Sequence, residues 1–183
     1  MARSLRILAV CRHNRTRSVI MGGLLKQYAQ NQGVNVVVRS AGFSEAGGEL
    51  PTDTAIRLLK ERGIDKSAYL SHFLNTPGVT GADLIVTAEQ KHVVAIAGRW
   101  PEMYGSTFTL PEIVELGERI GPRGARSHTD WLNALHAERP DPLGYLDTKV
   151  GEIADPTGQS PATWSAAFAR IDDLTARLVT LLA

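Results

Sequence analysis

The chain contains very few of the residues on which several classes of protein depend. Cys11 is the only cysteine among 183 residues, which excludes an internal disulfide, a dithiol redox pair and a zinc site built from paired cysteines. A chain of this kind is typical of a reducing compartment. The apolar run that ends at Cys11 is too short for the core of a signal peptide or for a membrane span. We therefore expect a cytoplasmic protein that does not bind membranes.

The chain also lacks an excess of either charge. Its net charge is +1, and it has no basic stretch interleaved with aromatic residues, so nothing indicates nucleic-acid binding. Its five histidines show no spacing with carboxylates that is typical of metal ligands. They are His13, His72, His92, His128 and His136. We expect no metal and no cofactor, and we place His92 on the surface of a helix.

Short apolar runs alternate with stretches of helical periodicity along the chain. The predicted strands cover residues 5–10, 34–39, 83–87 and 106–110. The predicted helices cover residues 18–32, 51–62, 89–98 and 161–182, with shorter ones opening at Pro111 and within 129–139. This alternation predicts an α/β fold, a single domain over residues 1–183 in which helices cover both faces of a parallel sheet. Residues 121–152 are less regular, and no sheet element is predicted there.

The sequence VCRHNRTRSVI, residues 10–20, stands out because it follows the first predicted strand directly. A loop from a strand into a helix presents backbone N–H groups and the positive end of the helix, which together form an anion site. Arg17, six residues after Cys11, can hold two oxygens of a tetrahedral anion. In such surroundings the pKa of a cysteine falls from ~8.5 to ~3.5–7.5, and Ser18 can donate to the sulfur. The pattern predicts a phosphate-binding loop with a thiolate nucleophile.

Two alternatives accompany this interpretation. A lone cysteine is often only a small buried apolar residue, but a core position would gain nothing from Arg15 and Arg17 nearby. The reaction also needs a proton donor, and Asp155 in EIADPTGQS is the candidate. Asp and Pro favour turns in any protein, so from spacing alone Asp155 is either the acid or simply the first residue of a turn.

Five groups of residues, in order along nearly the whole chain, resemble the low-molecular-weight protein tyrosine phosphatase family. They are Cys11-Arg12-His13-Asn14-Arg15-Thr16-Arg17-Ser18, Ser40-Ala41-Gly42, Ser71-His72, Asp83-Leu84-Ile85-Val86 and Asp155-Pro156. The segment TFTLPEI, residues 107–113, is similar to bacterial members. The resemblance implies a three-layer α/β/α domain with a four-stranded parallel sheet and a reaction without metal.

The resemblance also implies roles for single residues. Cys11 would be the nucleophile, Arg17 the phosphate ligand and Asp155 the general acid and base. Residues that would shape the loop or hydrogen-bond to it are Asn14, Ser18, Ser40 and His72. The phosphate-binding loop would comprise Arg12, His13, Asn14, Arg15, Thr16, Arg17 and Ser18.

The loop departs from the family pattern C-x-G-N-x-C-R-S at two positions. His13 replaces glycine, and we expect it to adopt a positive φ, which a non-glycine residue tolerates at some cost. Thr16 replaces the second cysteine, so an oxidised Cys11 would depend on an external thiol for its recovery.

The expected rim of the pocket differs from the family as well. Thr157 stands where tyrosine phosphatases carry an aromatic residue after Asp155-Pro156. An aromatic wall would then have to come from elsewhere in the chain. The candidates are Trp100, Tyr104, Trp131 and Tyr145. We expect Arg12 to attract substrates with extra negative charge, and Arg15 to point to solvent.

The sequence therefore predicts a cysteine-dependent phosphomonoester hydrolase, in the first place a protein tyrosine phosphatase, that forms a phosphocysteine intermediate. Its substrate would be a phosphorylated protein or a small phosphomonoester, and the loop would hold inorganic phosphate or another oxyanion. An arsenate reductase that uses an external small thiol is one alternative, and a non-catalytic phosphate-binding module is another. Phosphotyrosine, phosphoarginine, a phosphosugar and arsenate all present a similar anion, so the pattern does not choose among them.

Overall fold

The computed structural model describes residues 3–45 and 47–183 and is built on one parallel sheet. Its strands are β1 (Leu5–Cys11), β2 (Val36–Gly42), β3 (Leu84–Thr87) and β4 (Thr107–Thr109). All neighbouring pairs are parallel, in the order β2-β1-β3-β4. The four-stranded α/β fold expected from the sequence is confirmed.

Helices connect these strands. They are α1 (Arg17–Gln32), α2 (Asp53–Glu61), α3 (Thr76–Thr80), α4 (Gln90–Arg99), α5 (Leu110–Ile120), α6 (His128–Ala137), α7 (Pro142–Tyr145) and α8 (Pro161–Leu182), with a 3₁₀ helix at Pro101–Ser106. The last helix has the predicted bounds, and Ser160 caps it by accepting from the Thr163 N–H at 3.2 Å. Among the described residues, no helix combines the length and the apolar character that a membrane span requires.

The central strand β1 is buried on both faces, as parallel sheets require. Leu5, Ile7 and Ala9 join a core cluster that includes α1, α5 and α8. Leu8 and Val10 point the other way, into a second cluster that includes residues of α3 and α4. Alternation along one strand therefore separates two helical layers, which gives the three-layer arrangement.

The order of the strands decides where a site can form. From β1 the chain turns to one side to form β2, then crosses to the other side to form β3. A crevice opens at this reversal, beyond the carboxyl ends of β1 and β3. Cys11 ends β1 and Thr87 ends β3, so the residues that follow each of them line the same edge.

Residues 121–152, irregular in sequence, pack closely on the core. The Arg139 side chain is 2% exposed, and its Nε lies 2.8 Å from a carboxylate oxygen of Glu112. Three aromatic rings surround its guanidinium at 4.3–4.7 Å. They belong to Tyr104, Phe108 and Tyr145. The buried cation and its rings fix this segment on the fold.

Candidate active site

The turn between β1 and α1 holds the cysteine in a polar setting. Cys11 Sγ lies 3.0 Å from Ser18 Oγ, and both residues are buried. Ser18 Oγ also accepts a hydrogen bond from Asn14 Nδ2 at 2.9 Å, which leaves the Ser18 proton free to point at the sulfur. A hydroxyl in this position stabilises a thiolate both as nucleophile and as leaving group.

The backbone of this turn is arranged as an anion cradle. Within the described ranges, no residue accepts a hydrogen bond from the main-chain N–H groups of residues 13–18. Helix α1 begins at Arg17, and the side chain of Thr16, its N-cap residue, makes no capping hydrogen bond. Free N–H groups at the start of a 16-residue helix attract negative charge.

Arg17 is fixed beneath the cradle by three acceptors. One terminal nitrogen, Nη1, lies 2.5 Å from Glu89 Oε1 and 2.9 Å from the carbonyl oxygen of Ile153. The other, Nη2, donates to Asp155 Oδ2 at 2.9 Å. Arg17 Nε is buried, and no described residue accepts its proton. The side chain is therefore rigid, and two of its five N–H donors, that of Nε and the second of Nη2, stay unused by the described residues.

Glu89 stays ionised in these surroundings. Burial works to raise its pKa, but hydrogen bonds from Lys91 and Arg17 outweigh burial and lower the pKa of Glu89 below its ordinary value. The Arg17–Glu89 pair is nearly dry, since the two side chains are 2% and 15% exposed. A carboxylate fixed in this way holds the guanidinium in one orientation.

Two neighbouring segments support the turn from behind. A Cβ atom on Gly42 would lie 2.6 Å from the backbone nitrogen of Asn14, so only glycine allows β2 to approach the turn this closely. Asn14 adopts a φ of 54°, and its Oδ1 accepts from the Tyr69 hydroxyl at 2.7 Å and from the His72 N–H at 2.8 Å. His72 thus supports the loop through its backbone, whereas its side chain is exposed.

Ser40 acts on the loop indirectly. Its Oγ lies 2.8 Å from the hydroxyl of Tyr69, which in turn contacts Asn14. Ser40 therefore supports the loop through Tyr69 and not through a direct hydrogen bond.

A cavity of about 240 Å³ opens above Cys11. Its lining residues are Cys11, His13, Arg15, Thr16, Arg17, Thr52, Asp155 and Thr157. Three hydroxyls lie next to one another in the cavity wall: Thr16 Oγ1 is 3.2 Å from Thr52 Oγ1 and 3.3 Å from Thr157 Oγ1. Asp155 also accepts from the Thr157 N–H at 3.1 Å, and its side chain is 39% exposed. The Cys11 thiol, the Arg17 guanidinium and the Asp155 carboxyl group therefore share one opening.

No aromatic wall completes this cavity. The four candidates are buried elsewhere: Trp100, Tyr104, Trp131 and Tyr145. None of them belongs to the lining, where the only ring is the imidazole of His13. Their large apolar surfaces are used in the core instead.

Three expectations about the loop and its surroundings are corrected by the structure. His13 does not have a positive φ; the residue that does is Asn14, which tolerates it better. Arg15 does not point to solvent, because its Nε donates to the Leu50 carbonyl at 2.8 Å and its Nη1 lies 3.2 Å from Glu49 Oε1. His92 is not on a helix surface.

The His92 ring is buried, with its residue only 3% exposed, and stacks on Phe43 at 5.3 Å. Its Nε2 lies 3.9 Å from Glu89 Oε1, and neither ring nitrogen has a hydrogen-bond partner in the described part of the chain. Burial lowers the pKa of His92 to about 4; Glu89 opposes this shift and Arg17 adds to it. The ring is therefore neutral at physiological pH.

Sequence reasoning missed Glu89 and Tyr69. Glu89 was detectable in principle, because it follows β3 by two residues at the edge where Cys11 follows β1. Tyr69 lies in a segment without regular structure, and nothing in its neighbourhood indicates that it reaches Asn14. No group of three or more potential metal ligands occurs in residues 3–45 and 47–183.

Comparisons with known proteins agree with this geometry. The family model "Low molecular weight phosphotyrosine protein phosphatase" matches residues 6–117. A protein-arginine-phosphatase of Bacillus subtilis (strain 168) is 32% identical over 120 residues, which cover 64% of this chain and 79% of that protein. A probable low molecular weight protein-tyrosine-phosphatase of Ralstonia nicotianae, EpsP, is 34% identical over 107 residues, covering 58% and 71%. The solved structure of YwlE arginine phosphatase from Geobacillus stearothermophilus superposes with a TM-score of 0.69 at 28% identity, covering 96% and 90%.

Proposed function

As a member of the low molecular weight phosphotyrosine protein phosphatase family, this chain is a hydrolase of phosphoric monoesters, and we propose that it acts on phosphoproteins with Cys11 as the nucleophile. The observation that carries the proposal is the contact of 3.0 Å between Cys11 Sγ and the Ser18 hydroxyl, at the base of a loop whose N–H groups have no partner among the described residues. A thiolate held there faces any tetrahedral anion that the loop binds.

The first step transfers the phosphoryl group to sulfur. The Cys11 thiolate attacks phosphorus, and the bond to the leaving atom of the substrate breaks as the bond to sulfur forms. Loop N–H groups and Arg17 hold the other three oxygens, where the charge is spread in the transition state. Asp155, in its protonated form, gives a proton to the leaving atom.

The second step returns the enzyme to its starting state. Asp155, now a carboxylate, takes a proton from a water molecule that attacks phosphorus. The bond to sulfur breaks, inorganic phosphate forms, and Cys11 leaves as a thiolate stabilised by the Ser18 hydroxyl. Two observations support this assignment: the contact with Arg17 places the Asp155 carboxyl group beside the bound phosphate, and partial exposure of its side chain lets it exchange protons with solvent.

The walls of the cavity favour phosphoarginine over phosphotyrosine as substrate. The described lining residues include no Phe, Tyr or Trp that would stack on a phenyl ring, and their one ring is the imidazole of His13. The hydroxyls of Thr16, Thr52 and Thr157 could instead accept hydrogen bonds from the N–H groups of a guanidine. The curated relatives include both a protein-arginine-phosphatase and a probable tyrosine phosphatase, so phosphotyrosine is the second candidate.

The test compares the wild type with Cys11→Ser, a substitution of one atom. In a chelator-containing buffer, we expect wild type to hydrolyse p-nitrophenyl phosphate and Cys11→Ser to lose at least roughly 10⁴-fold in kcat. Two peptides of one sequence, carrying phosphoarginine or phosphotyrosine, then rank the substrates by kcat/KM. Turnover by Cys11→Ser at the wild-type rate would contradict the proposed nucleophile.

Inactive, well-folded wild type would contradict phosphatase chemistry altogether. Consumption of arsenate in the presence of a small thiol would then indicate a reductase. Binding of inorganic phosphate without any turnover would indicate a binding module. A preference for the phosphotyrosine peptide would overturn only the choice of substrate.

A further inference from the structure

The segment that leads to Asp155 is anchored to the sheet by one residue outside the catalytic group. Gln90, the first residue of α4, donates from Nε2 to the carbonyl oxygens of Tyr145 at 2.7 Å and Thr148 at 3.0 Å. Its backbone N–H donates to Glu152 Oε1 at 2.7 Å. A single residue thus holds the segment at three points within eight residues of its chain, shortly before Asp155.

The neighbours of Gln90 hold the same region. The Ala88 carbonyl accepts from the Ile153 N–H at 2.8 Å, and Glu89 fixes Arg17, which also donates to the Ile153 carbonyl at 2.9 Å. Residues 88–90, directly after β3, therefore connect the phosphate-binding arginine with the segment that carries the carboxyl group.

A carboxamide suits this position for a geometric reason. The Tyr145 carbonyl ends α7 and also accepts from the N–H and the hydroxyl of Thr148, at 3.2 and 2.7 Å, while the Thr148 carbonyl lies three residues beyond the helix. The two N–H bonds of one NH₂ group can serve both carbonyls at once. An apolar side chain of similar length would leave the two carbonyls without this donor.

We propose that Gln90 is a positioning residue for Asp155: by fixing residues 145–152 it sets the place of the carboxyl group that protonates the leaving atom. The inference rests on the proposed function, since it assumes that Asp155 is the general acid. Among the described residues Gln90 makes no hydrogen bond to Arg17 or to the residues that line the cavity, so we expect its loss to act on the proton donor and not on the phosphate cradle.

The test uses Gln90→Met, which keeps the length of the side chain and removes its donors. We expect kcat/KM, which includes only the transfer of phosphate to sulfur, to fall about tenfold for phenyl phosphate, whose leaving group needs a proton, because small displacements of a catalytic group are costly. For p-nitrophenyl phosphate, whose leaving group needs little protonation, we expect less than about threefold. Inhibition by inorganic phosphate should not change.

Two further variants serve as controls. Gln27→Met removes an amide that also donates to a carbonyl, that of Arg62 at 2.8 Å, on the far end of α1; we expect no selectivity between the two substrates. Glu152→Ala, at an exposed position, removes only the acceptor of the Gln90 backbone and keeps the proposal testable if Gln90→Met does not fold. It should show a smaller loss with the same selectivity.

The variant Asp155→Asn distinguishes a failure of the positioning role of Gln90 from a failure of the acid role of Asp155. It should show the selective loss for phenyl phosphate in a stronger form, and Gln90→Met should add little to it. Equal losses of Gln90→Met on both substrates, beside a selective Asp155→Asn, would overturn the positioning role alone. An Asp155→Asn variant without selective loss would overturn the acid assignment, and the positioning role with it.

Discussion

The two halves of the candidate site differ in how the sequence encodes them. The proposed nucleophile, its hydroxyl partner and the arginine all lie within eight consecutive residues, Cys11–Ser18. The groups that orient that arginine, Glu89 and Asp155, lie 72 and 138 residues further along the chain. A contiguous half can be recognised from spacing, whereas a dispersed half becomes visible only when the fold brings its parts together.

The contiguous half is itself not self-sufficient. Asn14 is held by Tyr69 and by the backbone of His72, and the approach of β2 requires Gly42. Sequence spacing therefore identifies the reactive groups of the loop, but the rigidity that makes them effective comes from elsewhere in the fold.

The largest effect that tests this comparison should follow from Glu89→Gln. The Arg17 side chain is 2% exposed, and removal of its charged partner leaves a buried cation with weaker compensation. We expect the free energy of unfolding to fall by about 3 kcal/mol and kcat/KM to fall by roughly 10²-fold, since a positioned charge acts on the transition state. Urea unfolding and steady-state kinetics measure the two losses.

Glu118→Gln is the matched control for that variant. Glu118 pairs with Arg177 at 2.7 Å, but both side chains are more than 40% exposed. Exposed pairs of this kind contribute less than about 1 kcal/mol, and this pair lies outside the cavity lining. If Glu89→Gln behaved like Glu118→Gln, the dispersed half of the site would be dispensable for Arg17.

The fold was more predictable than the site. Four strands and the long helices followed from periodicity because each buries a regular face, and α8 has its predicted bounds from Pro161 to Leu182. The short helices α3 and α7 escaped prediction, since five and four residues carry no period. Because residues 5–10 could be identified as a strand of a parallel sheet, Cys11 could be placed at the carboxyl edge of that sheet.

Within the site, contacts between residues close in sequence can be predicted, whereas contacts between residues far apart in sequence cannot. The Cys11–Ser18 contact lies within one turn and could be anticipated. The burial of His92 depends on Phe43, which reaches it from beyond the end of β2, and the helix that carries His92 gives no sign of that contact. The assignment of Asp155 came from a resemblance, because its own neighbourhood in sequence is equally typical of a turn.

A second effect, confined to stability, should appear in the pH dependence of the free energy of unfolding through His92. The groups that face its ring are Glu89, Lys91, Arg17 and Asp155. Because burial lowers its pKa to about 4, while an unfolded chain protonates histidine near ~6.5, the unfolded state binds more protons between these values. The free energy of unfolding should therefore fall by roughly 3 kcal/mol as the pH falls from 6.5 to 4.

Replacement of His92 by phenylalanine isolates this contribution. His92→Phe keeps a ring that can stack on Phe43 and cannot titrate. Urea unfolding at several values between pH 4.5 and 6.5 should show a flatter dependence than in wild type. Protonation of Glu89, whose pKa is lowered, also reduces the free energy of unfolding as the pH falls, but only through the pH range in which carboxyl groups titrate. Equal slopes in wild type and His92→Phe would contradict the buried neutral ring.

The smallest effect concerns the two arginines of the loop that flank the cradle. Arg15 is tied to Glu49 and Leu50, whereas no described residue contacts the exposed side chain of Arg12 through a hydrogen bond or an ion pair. A free cation beside the nucleophile can attract acidic substrates over a distance that salt shortens. With an acidic phosphopeptide at low salt, Arg12→Ala should lower kcat/KM by about threefold, and the loss should vanish as salt is added.

Arg57→Ala removes an equal charge on α2, where Arg57 pairs with Glu61 at 2.8 Å, and should leave kcat/KM unchanged. A loss of the same size in both variants would mean that net charge, and not the place of Arg12, attracts the substrate. A salt-independent loss would mean that Arg12 makes a direct contact. Only a salt-dependent loss confined to Arg12 fits a contiguous half of the site, Cys11–Ser18, that both attracts the phosphate group and binds it. The role of the dispersed half would then be to orient the groups that react with the phosphate.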